Sequence, residues 1–266
     1  MIKLGVNTVL FREFDFATAA KYIKKAGYDG LEIAAIPRMC EHLDLNNWKS
    51  QVSELKAIME DNELEFLSME ETVLDEDRLM VAYEAAAELG IPVVNIGSGG
   101  KSGIEEDLVR QTDLIAKMAE KAEPFGVTLC VKAHVGAAIY DTETTLYAMD
   151  KIKSPAFGID MDPSHIYRAN ENPEEALSKV ISRVKHIHIR DCKGRQSGPG
   201  PIELQACGRG DIDLMAYCKA MVDNNYSGPV CLEIIMAQGH DLAEVSIIAA
   251  ESYGYLNACL KALGAR

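Results

Sequence analysis

Eight short apolar runs, separated by longer helix-forming stretches, are the feature that most restricts the fold of this 266-residue chain. We interpret the runs as strands, because short apolar segments alternating with helical segments are typical of buried β-structure. The predicted strands are 2–9, 30–34, 65–69, 93–97, 128–131, 157–161, 185–189 and 230–234. The predicted helices are 17–26, 48–61, 77–89, 105–125, 142–152, 173–184, 213–224 and 242–263.

This alternation has a topological consequence, since buried strands joined by helices require parallel pairing and right-handed crossovers. Eight such units at this length predict an α/β fold, a (β/α)8 TIM barrel with a single domain spanning 1–266. An open doubly wound sheet is the competing architecture, but it usually has fewer units and a phosphate-binding fingerprint after the first strand. The glycine-rich stretch 97–100 does not fit that fingerprint, and we interpret it as a rim loop.

The net charge limits the kinds of molecule that the chain is expected to bind, and the cysteines indicate its compartment. The net charge of −14 argues against nucleic acid and anionic membranes, which both require basic patches. Seven scattered cysteines without a CxxC pair predict reduced thiols in a cytoplasmic protein. The N-terminus lacks a signal-peptide layout, and no apolar run approaches the roughly 20 residues of a membrane span. We expect a small-molecule substrate, and a homo-oligomer is compatible with the chain.

Charged side chains mark the ends of the last four predicted strands. These residues are Lys132, Asp162, His188 and Glu233. The carboxyl ends of barrel strands converge on one rim, where active sites are built. Glu233 is the strongest signal, because a carboxylate within an apolar strand almost always has a charged or metal partner. Aspartate, histidine and glutamate converging on one rim predict a divalent metal site.

Histidines near these strand ends have two interpretations each. His186, His188 and Arg190 alternate along one face of the seventh strand. Burying three such polar side chains costs free energy unless they have bonding partners or a functional role. His186 is equally consistent with a core histidine satisfied by the backbone, whereas His188, nearer the rim, favours function. His165, three residues after Asp162, either faces the same cavity or is exposed after a proline turn.

Lys132 is the anomaly, because a cation is a poor neighbour for a metal ion. It closes the fifth strand with His134 on the same face. A lysine there can be a Schiff-base nucleophile, an electrostatic group or a solvated surface residue. Glu70 and Glu71, after the third strand, are weaker candidates, because adjacent acids can simply face solvent.

The motifs at these strand ends resemble those of the xylose-isomerase-like barrel superfamily of sugar isomerases and epimerases, over nearly the whole chain. The matching segments are Asp162-Pro163-Ser164-His165 for D-x-x-H, His188-Ile189-Arg190-Asp191 for H-x-K-D, 208–213 for G-x-G-x-I-D, and Glu233 for the glutamate that ends the last strand. The chain lacks the longer ligand set of the related endonuclease IV, and its acidic charge also argues against DNA repair.

The resemblance implies one divalent metal, Mn, Mg or Co, held by Asp162, His188, Glu233 and a fourth carboxylate. It also implies isomerisation or epimerisation of a keto-sugar, in which the metal polarises substrate oxygens and stabilises a cis-enediolate. Glu233 would move the proton. The remaining polar residues near the rim are expected to bind the sugar: His134, His165, Arg190 and Glu70.

The fourth metal ligand is replaced in this chain, which has Lys132-Ala133-His134 where the family has E-x-H. Two carboxylates with one lysine carry the same formal charge as three carboxylates with one divalent ion. We therefore expect Lys132 to border the metal position and pair with Asp162 and Glu233, leaving metal binding weak or absent. Glu233, Lys132 and His165 are the catalytic candidates.

Three alternatives remain for the same rim. Lys132 can turn to solvent and leave a three-ligand metal in place. The chain can be a metal-free or catalytically disabled sugar-binding barrel. It can also be a keto-sugar lyase or dehydratase, because that reaction begins with the same removal of an α-proton, and fold analogy does not choose the reaction.

Overall fold

A computed structural model describes residues 1–195 and 198–266 and contains a closed barrel. Within those residues its eight parallel strands are β1 (Leu4–Asn7), β2 (Gly30–Ile36), β4 (Glu65–Thr72), β5 (Val93–Gly97), β6 (Thr128–Lys132), β7 (Phe157–Met161), β8 (Val184–Ile189) and β9 (Val230–Leu232). A short β3 (Cys40–Glu41) pairs antiparallel with the end of β2. The barrel order is β1-β9-β8-β7-β6-β5-β4-β2, and β1 pairs with β2 to close the ring. The predicted (β/α)8 TIM barrel is confirmed.

Helices surround the barrel and connect its strands. They are α1 (Phe16–Ala26), α2 (Trp48–Asp61), α3 (Glu76–Leu89), α4 (Glu105–Ala122), α5 (Thr142–Lys151), α6 (Pro163–Arg168), α7 (Pro173–Val180), α8 (Ile202–Gln205), α9 (Leu214–Asp223) and α10 (Leu242–Ala262). The short α6 and α8 were not predicted, because they are too brief to show a helical period. In the described part of the chain, no helix combines the length and apolarity needed to cross a bilayer.

Two predicted strands are too long. The first ends at Asn7, whose side chain accepts a hydrogen bond from the Val9 amide and starts a 3-10 turn, Thr8–Phe11. The last ends at Leu232, so Glu233 lies just beyond the ladder. In both cases the apolar run continues past the point where the backbone leaves the sheet, and hydropathy alone does not mark that point.

Strand register sets polar residues side by side inside the barrel. Lys132 lies next to Asp160, Asp160 next to His186, and Asn7 next to Glu32. All of these side chains are buried. Since the outward faces of the strands pack under the helices in one continuous apolar core, the polar side chains are confined to the barrel interior and its carboxyl-terminal rim.

Candidate active site

A cavity of about 270 Å³ opens at the carboxyl ends of the strands. Six residues selected from the sequence line it: Glu70, Lys132, His134, His165, Arg190 and Glu233. An apolar wall completes it: Ile36, Met39, Ala137 and Ile235. The cavity lining therefore combines strongly polar side chains with apolar side chains suited to C–H groups.

Lys132 lies among these polar side chains, between two carboxylates from distant strands. Its Nζ atom is 2.7 Å from Glu233 Oε1 and 3.1 Å from Glu70 Oε1. The residue is only 5% exposed, so the solvent-facing alternative is wrong. The expected pairing with Asp162 is also wrong, because Glu70 reaches the ammonium from β4 instead.

Arg190 supplies a second buried cation. Its Nη2 atom is 3.0 Å from Asp162 Oδ2, and its Nη1 atom is 3.4 Å from Glu233 Oε2. Nη2 also donates to His165 Nε2 at 2.9 Å, and Nε donates to Ser164 Oγ at 2.8 Å. Arg190 thus links the residues of the D-x-x-H segment to Glu233.

His165 and His134 stack at the cavity edge, with ring centroids 3.9 Å apart. His165 is 2% exposed, which overturns the alternative of an exposed side chain after a proline turn. Burial and the neighbouring Arg190 charge hold the pKa of His165 well below its usual value, so the ring is neutral. Burial and Lys132 likewise lower the pKa of His134. Two neutral rings beside two cations are suited to binding hydroxyl groups.

His188 lies deeper and is not among the side chains that line the cavity. Its Nε2 atom contacts Glu32, and its Nδ1 atom is 2.6 Å from Asp160 Oδ2. Burial opposes protonation, but Asp160 and Glu32 raise the pKa of His188 well above its usual value. His186 is held by Asp160 Oδ1 at 2.9 Å and Ser68 Oγ at 2.9 Å, so side chains rather than the backbone satisfy it.

Sequence reasoning missed the residues that hold this inner layer. Glu32 and Asp160 are completely buried, and Asn7 and Asn95 donate to Glu32 at 2.7 and 2.6 Å. The sequence does carry a signal, because both carboxylates interrupt apolar strands. Convergence on the rim does not identify them, since they lie within a strand rather than at its end.

Glu71 has a structural role away from the cavity. Its side chain is buried and forms an ion pair with Arg78 Nε, while Arg78 Nη2 donates to the Ala35 carbonyl at 2.8 Å. Burial raises the pKa of Glu71 to about 7, against the opposing effect of Arg78. The expectation that these adjacent acids can face solvent is therefore wrong for Glu70 and Glu71 alike.

The two carboxylates around Lys132 have opposite electrostatic environments. Burial raises the pKa of Glu70 to about 8, and Lys132 only partly offsets it. Burial opposes ionisation of Glu233 too, but Lys132 and Arg190 together hold its pKa well below the usual value. Burial would lower the pKa of Lys132, yet Glu233 and Glu70 raise it. At neutral pH the site therefore contains an ammonium, an ionised Glu233 and a largely protonated Glu70.

The raised pKa of Glu70 predicts a pH-dependent stability. A carboxyl with a folded pKa of about 8 and an ordinary value of 4.5 stabilises the fold fully below pH 4.5 and loses that contribution as pH rises through 8. Glu70→Gln should therefore flatten the fall in unfolding temperature between pH 5 and pH 8.5. Exposed Glu65 on the same strand offers a matched control, Glu65→Gln. Parallel curves for natural chain and Glu70→Gln would contradict the assignment.

Candidate metal ligands are present, but buried cations already pair with their carboxylates. Ligand atoms of Glu70, His188 and Glu233 lie within 4.8 Å of one another, as do those of Glu32, His186 and His188. Lys132 contacts both carboxylates of the first group, and His188 Nε2 faces Glu32. Asp162, which the resemblance makes a ligand, is occupied by Arg190. In this arrangement the residues do not fit a divalent ion.

Comparison with known proteins identifies the class of relatives. A family model described as a xylose isomerase-like TIM barrel matches residues 20–253. The inosose dehydratase of Clostridium beijerinckii is 24% identical over a 266-residue alignment that covers 87% of this chain and 89% of the relative. The inosose dehydratases of Clostridium perfringens are 26% identical over 141 residues, and the match spans about half of their length.

Solved structures show the same fold. The IOLI protein with a bound zinc atom superposes with a TM-score of 0.80 at 19% identity, covering 98% of this chain and 99% of that one. D-psicose 3-epimerase with D-tagatose from Clostridium cellulolyticum H10 gives 0.76 at 17% identity, covering 97% and 99%. These superpositions show that the chain shares its barrel fold with both proteins.

Proposed function

Because this chain belongs to the xylose isomerase-like TIM barrel family, we propose that it transfers a proton next to the carbonyl of a keto-sugar or cyclic keto-polyol. The observation that carries the proposal is the position of Glu233. Its carboxylate lines the cavity between two cations, and its Oε2 atom has no hydrogen-bond partner among the described residues. A carboxylate held ionised beside two cations is suited to removing a proton whose departure creates negative charge.

Each polar residue of the cavity has a role in this scheme. Glu233 removes and returns the α-proton, while the charges of Lys132 and Arg190 stabilise the resulting enediolate oxygen. The neutral rings of His134 and His165 bind substrate hydroxyls, and Glu70 completes the polar wall. The C–H groups of the substrate pack against the apolar lining residues, such as Ile36 and Ile235.

We propose that metal binding by this chain is weak or absent, with Lys132 supplying positive charge where the family carries an ion. A metal would have to displace a buried ammonium that has two carboxylate partners. All seven cysteines are free thiols, which supports a reducing, cytoplasmic location as part of the same proposal. The catalysed reaction is an isomerisation, an epimerisation or a dehydration, and the names of the clostridial relatives favour dehydration.

The decisive experiment is deuterium exchange at the α-carbon. Chelator-treated protein should exchange the α-proton of an inosose in D2O, followed by NMR, because the proposed chemistry uses only protein charges. Open-chain ketoses such as D-tagatose and D-fructose complete the panel. Exchange that disappears with chelator and returns with Mn would restore the metal-centred mechanism. Binding of these sugars without exchange of any would favour the sugar-binding barrel.

A further inference from the structure

Glu70 and Glu233 approach one another across the cavity although they come from separate parts of the barrel. Glu70 lies near the end of β4 and Glu233 follows β9, yet ligand oxygens of the two lie within 4.8 Å of one another. Lys132 bridges them, at 3.1 Å and 2.7 Å. Both carboxyls line the cavity, so one substrate can contact both.

We infer that Glu70 is the general acid of a β-elimination, in which Glu233 removes the α-proton of a cyclic keto-polyol and Glu70 protonates the departing β-hydroxyl. The inference rests on the proposed function, because it requires α-proton removal by Glu233. It goes further by assigning a second catalytic carboxyl and by choosing dehydration over isomerisation.

The contacts around the two carboxyls indicate which one acts as the base and which one as the acid. Glu233 is bound by two cations, Lys132 and Arg190, which favours its ionised form. Glu70 shares one cation with Glu233, and its second oxygen is held by the uncharged amide of Asn7. Glu70 is therefore the carboxyl of the pair that more easily carries a proton, and a deeply buried carboxyl can donate it at neutral pH.

The histidines of the cavity are poorly placed to act as the acid. His165 lies between two guanidinium groups, with Arg190 Nη2 2.9 Å from its Nε2 atom and Arg168 Nη2 3.0 Å from its Nδ1 atom, and these charges oppose the imidazolium form. His134 uses its Nδ1 proton to donate to the Val135 carbonyl at 2.8 Å. Both rings are therefore neutral, and a neutral imidazole is a much weaker proton donor than a carboxyl group.

The backbone next to Glu70 is held in an unusual conformation. Thr72 has a φ of 71°, in the left-handed region that β-branched residues rarely adopt, and the β4–β5 register shifts between Glu70 and Thr72. Such strain persists only where surrounding structure enforces it, and it is concentrated at functional sites. Together with the Asn7 amide, this bulge fixes the direction of the Glu70 side chain.

The elimination conserves atoms and electrons without an oxidant or a metal. The Glu233 carboxylate takes the α-proton, and the electron pair of the broken C–H bond forms an enolate stabilised by Lys132 and Arg190. That pair then forms the double bond between the α- and β-carbons as the β-C–O bond breaks. The departing oxygen takes the Glu70 proton and leaves as water. Glu233 ends protonated and Glu70 ionised, and exchange with solvent restores both.

The test measures two steps separately in Glu70→Gln, with an inosose as the probe. α-Deuterium exchange reports Glu233 and should fall by less than about tenfold. Water loss, followed by absorbance of the enone product, should fall by about 10²–10⁴-fold, the usual contribution of a general acid. Glu70→Asp keeps the carboxyl and should regain part of the loss. Glu71→Gln changes the neighbouring buried acid, whose partner is Arg78, and should keep both rates.

A substrate whose leaving group needs no proton distinguishes a catalytic role of Glu70 from a structural one. With fluoride in place of the β-hydroxyl, Glu70→Gln should eliminate at a rate within about tenfold of the natural chain. Equal losses of exchange, water elimination and fluoride elimination would overturn the inference and make Glu70 structural. Exchange without water loss in the natural chain would overturn it while the proposed function stands. If the natural chain neither exchanges nor eliminates with any substrate of the panel, both fail.

Discussion

Glu233→Gln is expected to slow α-deuterium exchange of an inosose by about 10²–10⁴-fold. The amide keeps the size and hydrogen-bonding shape of the side chain but has no basicity with which to accept the proton. Lys132 and Arg190 remain to bind the carbonyl oxygen, so substrate affinity should change far less than the rate. NMR exchange rates at saturating and limiting substrate separate the two effects.

The control for this variant is Glu233→Asp, which keeps the carboxylate and shortens its reach by one methylene. It should retain more exchange than Glu233→Gln, although both leave Lys132 with weaker pairing. Thermal unfolding of each variant verifies that the barrel is intact. If Glu233→Gln exchanges protons as fast as the natural chain, another group is the base, and Glu70 on the far side of Lys132 becomes the first candidate.

The barrel was predictable because its strands are buried on both faces. The sequences of such strands are continuous apolar runs. Because a helix connects each strand to the next, the strands must pair in parallel and not as antiparallel hairpins. The convergence of Lys132, Arg190 and Glu233 on one cavity follows from the same topology, since all barrel strands point their carboxyl ends to one rim. Local pattern and global fold therefore agree at these positions.

The choice of ion-pair partners was not predictable. Lys132 on β6 pairs with Glu70 on β4 past the intervening strand β5, beside a bulge in β4, and residue spacing does not encode this contact. Asp162 pairs with Arg190 because the two residues follow the neighbouring strands β7 and β8. Glu32 and Asp160 lie in the middle of their strands, where convergence on the rim does not single them out, although a carboxylate within an apolar strand is as informative there as at the end.

Lys132→Glu is expected to convert the chain into a metal-binding protein. The change removes a cation that contacts Glu70 and Glu233 and adds an anionic oxygen ligand at the same place. Both effects favour a divalent ion, so the affinity for Mn should rise by at least about 100-fold, since even the loss of a group that hydrogen-bonds to a metal ligand changes metal affinity by about 10–100-fold. Isothermal titration of Mn into both chelator-treated proteins measures the difference.

Catalysis of α-deuterium exchange should become dependent on metal in the same variant. Without metal, Lys132→Glu places three carboxylates around the cavity with Arg190 as their cation, so α-deuterium exchange should fall by about 10²-fold or more. Added Mn should restore it in Lys132→Glu and leave the natural chain unchanged. Lys132→Met is the matched control: it removes the ammonium without adding a ligand, so it should lose exchange and gain little metal affinity. Equal Mn affinity in the natural chain and Lys132→Glu would mean that the ammonium leaves its carboxylate partners in solution, and the charge-replacement argument would then fail.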